Sequence, residues 1–221
     1  MTTSAGLLVP HRRRAAYGHR VGRAIFRTLY DGRAIHSHRV PAEGPVLLVA
    51  NHAAFLDGPF VFSLAPRPVT FLVKQEAFRG VFGMVVRGAG QIPIDRTTGD
   101  RAALAAALAV LARGDTVGIF PEGTRRDGDV DGVNHGAAWI ALRSGAPIVP
   151  VAVLGTRVAG ASTDSWPRPR TPLTVDFGEP FHLHPDLAVP GRDRLRRASD
   201  ELRQALASHV RRARVDNGSS S

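Results

Sequence analysis

Residues 46–57 read VLLVANHAAFLD, an unbroken apolar run followed directly by polar residues. The run 46–50 has the length of a buried β-strand. The same pattern recurs four times further along the chain, at 69–73, 116–120, 147–154 and 173–177. Helical stretches alternate with these runs, and in the clearest of them, 100–113, Asp100 can cap the first turn. This alternation predicts an α/β fold in which a mostly parallel central sheet is flanked by helices in a single domain.

The composition is that of a globular protein. The chain has 221 residues, of which 43% are hydrophobic and 22% charged, so it is long enough to bury a core. These values exclude the disordered and collagen-like classes. Because the chain has no cysteine, disulfide scaffolds, thiolate zinc sites and thiol nucleophiles are excluded as well. Lys74 is the only lysine among 29 basic residues.

The formal net charge of +10 is concentrated at the two ends of the chain. Residues 1–40 hold eight arginines and one acidic residue, and residues 191–221 hold eight arginines and four acidic residues. We therefore divide the chain into four parts: a basic amphipathic N-terminal segment (1–40), an α/β core (41–190), a basic C-terminal helix (191–214) and a disordered tail (215–221).

The N-terminal segment has helical periodicity, and it allows two interpretations. Apolar side chains from Tyr17 to Leu29 recur on one helix face, whereas Arg20, Arg23 and Arg27 share another. The apolar face can pack on the core with the arginines in solvent, or the helix can lie on a membrane surface. Both can hold for the same helix.

No segment resembles a membrane span or a secretory signal. The longest apolar stretch, 102–112, has 11 residues, and a helix needs about 20 to cross a bilayer. The N-terminus lacks an apolar core followed by a small-residue cleavage site. We therefore expect a cytoplasmic protein.

The polar block after the first strand contains a candidate catalytic pair. Ligands of α/β sheets usually lie at the carboxyl ends of the strands, where His52 and Asp57 follow the run 46–50. A histidine there can act as a base near neutral pH, and a carboxylate on its other nitrogen can orient it. Because five residues span about 140° of a helix, His52 must precede a helix that begins near Asp57. The alternative is a strand-end histidine and a helix-capping aspartate with no joint role.

Three more blocks follow other runs. Residues 90–96 read GQIPIDR, residues 120–125 read FPEGTR, and residues 148–151 read IVPV. In FPEGTR, a glycine allows close approach of the backbone, a threonine supplies a hydroxyl, and an arginine can hold a phosphate with two donors. A tight turn with an internal arginine–glutamate pair is the alternative. The IVPV block carries no reactive group.

Taken in order, these blocks resemble the glycerolipid acyltransferase family typified by 1-acylglycerol-3-phosphate acyltransferase (lysophosphatidic acid acyltransferase, PlsC type). The resemblance rests on NHAAFLD, GQIPIDR, FPEGTR and IVPV, with the family's Lys-x-Glu element at 74–76, and covers roughly 40–155. Two departures from the family pattern are Arg126 after Arg125 and Asn-His-Gly at 134–136.

The resemblance implies a role for each motif residue. His52 would remove the proton of an acceptor hydroxyl, which attacks an acyl thioester, and Asp57 would orient His52. Cationic residues would hold the phosphate of the acceptor, and their neighbours would shape the same pocket. The implied substrate-binding residues are Asn51, Lys74, Arg96, Glu122, Gly123, Thr124 and Arg125. Direct transfer needs no acyl-enzyme, which agrees with the absence of cysteine and with Ala54 where the family often has serine.

We therefore expect an acyltransferase that moves a fatty acyl group from acyl-CoA or acyl carrier protein to a lysophospholipid, with 1-acylglycerol 3-phosphate as the leading acceptor. Beyond these co-substrates no cofactor and no metal are expected. The expected partner is an anionic phospholipid surface at the inner face of the cell membrane. The alternatives are another acceptor, such as glycerol 3-phosphate, another lysophospholipid or a lipidated amino acid, and a non-catalytic binder of anionic surfaces. No nucleic-acid motif is present, and aromatic residues are only 6% of the chain.

Two histidine pairs could be metal ligands. His36 with His38, and His182 with His184, alternate within predicted strands and would share one side of each strand. Neither pair has a third ligand at a diagnostic spacing, so the sequence favours packing or solvated histidines.

Overall fold

A computed structural model describes residues 2–4, 7–95, 100–121, 131–157, 166–184 and 190–218. The strands are β1 (Thr2–Ser4), β2 (Leu7–Val9), β3 (Asp31–Ile35), β4 (Val46–Ala50), β5 (Val69–Lys74), β6 (Ile92–Ile94), β7 (Thr116–Ile119), β8 (Ile148–Leu154) and β9 (Pro172–Phe177). The helices are α1 (Arg12–Leu29), α2 (Asp57–Leu64), α3 (Gly80–Gly88), α4 (Arg101–Ala112), α5 (Asp131–Ser144) and α6 (Gly191–Asp216).

Seven strands form the central sheet in the order β3-β9-β8-β4-β7-β5-β6. All neighbouring strands pair in parallel except β8 and β9, which are antiparallel. The predicted α/β fold with a mostly parallel sheet is therefore confirmed. The final strand departs from the pattern, because β9 returns antiparallel to β8 and then pairs in parallel with β3. Strands β1 and β2 form a separate antiparallel pair.

The middle strand β4 is buried on both faces of the sheet. All five of its residues are buried, and successive side chains point to opposite faces. Leu47 and Val49 join a core with side chains of α4, α5 and α6. Leu48, with its neighbours on the same face, joins a second core with side chains of α2 and with Tyr30. An apolar run without alternation is what a doubly covered strand requires.

The capping prediction for α4 is confirmed, and the limits of several elements differ from the prediction. The Asp100 carboxylate accepts a hydrogen bond from the Ala103 N–H, as expected of an N-cap. Strand β7 ends at Ile119, one residue before the predicted end. Helix α6 continues past Arg214 to Asp216, so the first two residues of the predicted disordered tail are helical.

The apolar stripe of helix α1 does not pack on the core, contrary to one of the two interpretations of the sequence. Its inward side carries the buried Ala15 and His19 and the half-buried Arg23, and the side chains of His19 and Arg23 contact backbone carbonyls at the C-terminal end of α2. Its apolar stripe faces outward and is exposed, at Tyr17 71%, Val21 40%, Ile25 48% and Leu29 42%. Gly22 also lies on the inner side, where a Cβ would be 3.0 Å from Oγ of Ser63 in α2, so the glycine allows the two helices to approach. Core packing of that stripe is therefore wrong for this helix.

Candidate active site

His52 and Asp57 meet at the carboxyl end of β4. His52 lies in the turn that follows the strand, and Asp57 is the first residue of α2, as the spacing predicted. The imidazole Nδ1 is 3.1 Å from Asp57 Oδ2. The His52 side chain is 15% exposed, whereas that of Asp57 is fully buried. The fold thus joins a partly accessible histidine to an inaccessible carboxylate.

The Asp57 carboxylate accepts a hydrogen bond in every contact that the structure describes for it. Oδ2 accepts from the backbone N–H groups of Ala53 and Ala54, at 2.6 and 2.7 Å. Oδ1 accepts from the hydroxyl of Thr156 at 2.5 Å. Since the carboxylate acts as an acceptor towards His52 as well, we assign the shared proton to Nδ1 of the imidazole, which puts the ring's lone pair on Nε2. A neutral histidine in this tautomer can act as a base through Nε2.

Aromatic rings form one wall of the site. The Phe120 ring stacks on the His52 imidazole, with centroids 4.4 Å apart and an interplanar angle of 27°. The Phe71 ring stacks in turn on Phe120, with a centroid distance of 5.4 Å. Phe120 directly follows β7, the strand that lies beside β4. Two adjacent strands therefore position the Phe120 ring and the His52 imidazole. The stack restricts rotation of the imidazole and covers one of its faces.

Asn51 is bound to the sheet. Its amide donates to the carbonyl of Val153 at 3.1 Å and accepts from the N–H of Val153 at 2.7 Å. These two bonds tie the end of β4 to β8 immediately before His52. The described contacts of Asn51 therefore hold the backbone of the site, and its substrate-binding role stays a prediction.

The predicted phosphate-binding residues are only partly described. Lys74 is exposed at the end of β5, on the same edge of the sheet as His52 and two strands from β4. Two strand spacings correspond to about 10 Å. The other predicted members of this group lie outside the described residues: Arg96, Glu122, Gly123, Thr124 and Arg125. In the GQIPIDR block, the Gln91 side chain instead accepts from the Phe71 N–H at 2.7 Å and so supports β5.

An exposed apolar surface adjoins the site. Helix α3 exposes Val81, Phe82, Met84 and Val85. The Phe82 ring lies 5.4 Å from that of Phe55, which belongs to the turn between His52 and Asp57. Trp166 is 60% exposed, and its ring lies 6.2 Å from Phe55. The turn with the histidine is thus continuous with apolar side chains that face solvent.

Contrary to the prediction, neither histidine pair lies in a strand. His36 follows β3 with a left-handed φ of 53°, and its Nδ1 lies 2.8 Å from the buried Asp176 carboxylate. His182 and His184 follow the isolated bridge at Phe181, and both are exposed. Within the described ranges, no group of three histidine, cysteine, aspartate or glutamate side chains could hold a metal ion.

Two residues that contact the catalytic pair are absent from the residues predicted for the site. Phe120 lies inside the FPEGTR motif without a predicted role, and Thr156 lies outside every motif. Both follow a strand directly or within two residues, and the rule that ligands lie at strand ends applies to them as it does to His52. That rule was the available signal, although it does not reveal that Thr156 reaches a carboxylate 99 residues away in the chain.

Comparison with known proteins identifies the class of enzyme that the sequence motifs predict. The acyltransferase family model matches residues 33–154. A 1-acyl-sn-glycerol-3-phosphate acyltransferase of Bacillus subtilis is 25% identical over 79% of this chain and 85% of its own length. A lyso-ornithine lipid O-acyltransferase of Pseudomonas aeruginosa is 38% identical over 63% of this chain and 52% of its own length. Another relative, a Chlamydomonas reinhardtii 1-acyl-sn-glycerol-3-phosphate acyltransferase, is 33% identical over 77% of this chain, which spans about half of that relative's length.

The solved structure of a Thermotoga maritima 1-acyl-sn-glycerophosphate acyltransferase, PlsC, has the same fold, with a TM-score of 0.61 over 88% of this chain and 78% of the other at 22% identity. Because the family match covers more than half of the chain, the chain belongs to the acyltransferase family, a family of O-acyltransferases of phospholipid synthesis. In the part of the chain that the structure describes, no helix is long and apolar enough to span a bilayer.

Proposed function

We propose that the protein transfers a fatty acyl group from an acyl thioester, acyl-CoA or acyl carrier protein, to the free hydroxyl of 1-acylglycerol 3-phosphate, which gives phosphatidate. The observation that carries the proposal is the pair formed by His52 and a fully buried, fully hydrogen-bonded Asp57 at the carboxyl end of β4. The names of the relatives support the choice of substrates.

The chemistry requires one base and a positioned thioester. Nε2 of His52 takes the proton of the acceptor hydroxyl as its oxygen attacks the thioester carbonyl carbon. A C–O ester bond forms, the C–S bond breaks, and the imidazolium returns the proton to the leaving thiolate. The negative charge of Asp57, 3.1 Å from Nδ1, stabilises the imidazolium between these two steps. No covalent acyl-enzyme is needed, and the chain holds no cysteine to form one.

For the acceptor phosphate we propose Lys74, with Arg96 and Arg125, as the cationic partners. Lys74 is exposed at the same edge of the sheet as His52, so its ammonium group can reach a ligand bound there. Glu122, Gly123 and Thr124 are proposed to shape the same pocket, and no cofactor is proposed.

The test measures thiol release by purified protein from a long-chain acyl-CoA, with and without 1-acylglycerol 3-phosphate. We expect release that depends on the acceptor, and we expect His52→Ala to lower kcat by about 100-fold to 10,000-fold because it removes the base. His184→Ala is the control, since it removes an exposed histidine outside the site. Full activity of His52→Ala would contradict the mechanism.

The second candidate acceptor is lyso-ornithine lipid. It is favoured by the lyso-ornithine lipid O-acyltransferase, which is 38% identical to this chain over the matched region. One assay that compares lyso-ornithine lipid, 1-acylglycerol 3-phosphate and glycerol 3-phosphate at equal concentration decides between them by kcat/KM. The same panel, repeated with acyl-CoA and acyl carrier protein as donors, decides the donor.

We also propose that the enzyme works on the anionic inner face of the cell membrane, with the exposed stripe of α1 and the apolar surface of α3 against the lipid. Tyr17, Val21, Ile25 and Leu29 follow one another at four-residue intervals on a helix that has six arginines and no acidic residue. This combination is typical of helices that lie in a membrane interface. The contact of Phe82 with Phe55 joins that surface to the turn that carries His52.

Vesicle flotation tests this attachment. We expect the protein to float with vesicles that contain phosphatidylglycerol and Ile25→Asp to lower the bound fraction, because a charge on the stripe resists burial in the interface. Val215→Asp is the matched control: Val215 is 81% exposed on α6, so the change in charge and polarity is the same at another surface. Equal binding by both variants would contradict the placement of α1.

A further inference from the structure

Thr156 is a buried hydroxyl next to the proposed base system, and it lies beyond the family match, which ends at residue 154. Thr156 is 1% exposed, and its Oγ1 donates a hydrogen bond to Oδ1 of Asp57 at 2.5 Å. We propose that Thr156 is a positioning residue of acyl transfer: its hydroxyl sets the orientation of the Asp57 carboxylate and, through it, that of His52. The proposal rests on the function proposed above.

The two oxygens of Asp57 have different tasks. Oδ2 receives three donors, namely the N–H groups of Ala53 and Ala54 and the Nδ1–H of His52. These three bonds all act on one oxygen of the carboxylate. The bond from Thr156 to the other oxygen gives the carboxylate a second fixed end, which further opposes its rotation about the Cβ–Cγ bond and keeps a lone pair of Oδ2 directed at the imidazole.

Two features of the backbone place Thr156 in this position. Gly155 precedes it with a φ of 85°, and a Cβ on residue 155 would lie 2.8 Å from the carbonyl oxygen of Pro172. Only glycine fits such a turn without strain. The preceding strand β8 is paired with β4, and the Asn51 amide adds two further bonds between the strands. Thr156 and Asp57 are therefore placed by the same pair of strands.

A purely structural role for Thr156 would affect folding stability and leave turnover by the folded enzyme unchanged. A positioning role affects kcat, because the orientation of the base counts in the transition state, and leaves KM for both substrates within about twofold. The experiment therefore compares kcat and KM well below the unfolding temperature, which is measured for each variant.

The variants are Thr156→Val, which keeps the shape and removes the hydroxyl, and Thr156→Ser, which keeps the hydroxyl. We expect Thr156→Val to lower kcat about tenfold or more, since a buried hydrogen bond to a charged group is lost, and Thr156→Ser to restore most of it. Thr116→Val is the control: Thr116 is also 1% exposed, and its hydroxyl has no hydrogen-bond partner among the described residues. This control should keep the kcat of the unmodified protein.

A double-variant cycle tests whether the effect passes through Asp57. In an Asp57→Ala background, Thr156→Val should lower kcat by less than about twofold further, because the carboxylate it would orient is gone. A loss of kcat of the same factor in both backgrounds would overturn the proposal. So would an unchanged kcat in Thr156→Val, or a loss that Thr156→Ser does not restore.

A spectroscopic measurement keeps the inference separate from the proposed function. The ¹⁵N shifts of the His52 ring, assigned by difference from His52→Ala, report its tautomer without any substrate. We expect the Nδ1–H tautomer in the unmodified protein and in Thr156→Ser, and a mixture of tautomers in Thr156→Val. If no acyl transfer is found, the proposed function fails while this readout still decides the positioning. An unchanged tautomer in Thr156→Val overturns the inference.

Discussion

Phe71 and Phe120 can stack beside His52 because residue 118 carries no side chain. A Cβ on Gly118, in β7, would lie 2.3 Å from Cε1 of the Phe71 ring. This distance is too short for two carbon atoms that are not bonded to each other, so the Phe71 ring would have to move. The glycine therefore belongs to the aromatic wall of the site, although it contributes no atom to the stack.

We predict that Gly118→Ala destabilises the protein by about 1–3 kcal/mol, the usual cost of overpacking a core. Displacement of Phe71 also loosens Phe120, so kcat should fall. Urea unfolding measures the first effect, and the thiol-release assay measures the second.

Gly136→Ala is the control for that substitution. Gly136 lies inside α5, where the nearest neighbour of an added Cβ would be 3.5 Å away, an ordinary contact. Alanine in a helix interior is favoured over glycine by about 0.5–1 kcal/mol, so this variant should be slightly more stable. Equal unfolding free energies for the two variants would contradict the packing argument.

At the scale of elements, the docking of α1 depends on polar contacts on its inner side. His19 Nε2 lies 3.0 Å from the carbonyl oxygen of Ala65, and the guanidinium of Arg23 donates to the same oxygen at 2.9 Å. Burial lowers the pKa of His19 below its ordinary value of 6.5, and the nearby charge of Arg23 lowers it further. His19 is therefore a neutral donor in the folded state at neutral pH.

This shift predicts a loss of stability in mild acid. Below pH 6.5 the unfolded chain binds a proton at His19 while the folded chain does not, so the free energy of unfolding falls as the pH decreases from 6.5 towards the lowered pKa. Urea unfolding at pH 7.5 and pH 5.5 measures it.

His19→Gln can retain a donor to Ala65 without a titrating group, so it should show a smaller difference between the two pH values. His184→Gln, at an exposed histidine, should behave like the unmodified protein. An equal difference in His19→Gln and in the unmodified protein would contradict the assignment to His19.

At the scale of the whole molecule, the two basic ends have different surfaces. The apolar face of α6 is buried in the core, with Leu202, Leu206 and Val210 against the sheet. Two arginines on its outer face pair with acidic residues one turn earlier, as Arg196 does with Asp193. Helix α1, in contrast, exposes both its apolar stripe and most of its arginines, and it has no acidic residue. Membrane attachment is therefore argued from the N-terminal end.

We predict that binding to anionic vesicles weakens by about tenfold or more between 50 mM and 500 mM salt, since screening shortens the reach of the arginine charges. Binding to phosphatidylcholine vesicles, which carry no net charge, should change little over the same range. Sedimentation with both kinds of vesicle measures the two dependences. A salt-independent affinity for the anionic vesicles would exclude a contribution of the net charge.

The fold was predictable where burial is complete and local. Strand β4 is apolar at every position because both of its faces are covered, and that demand is visible in five consecutive residues. Short or mixed elements escaped prediction: β3, with the sequence DGRAI, has no buried residue, and β6 has only three residues. Such segments become strands because a neighbour pairs with them, which is a property of the sheet rather than of the segment.

The candidate site, like the fold, has parts that the sequence predicts and parts that it does not. The sequence by itself determined the α/β class, the block from His52 to Asp57 and the acyltransferase family, because strand-end motifs are local and their order survives in the chain. Only the tertiary structure decided that Thr156 supports Asp57, that Phe120 covers His52 and that the apolar stripe of α1 faces outward. These are contacts between elements far apart in the chain, and residue spacing carries no record of which surfaces meet when the sheet is assembled.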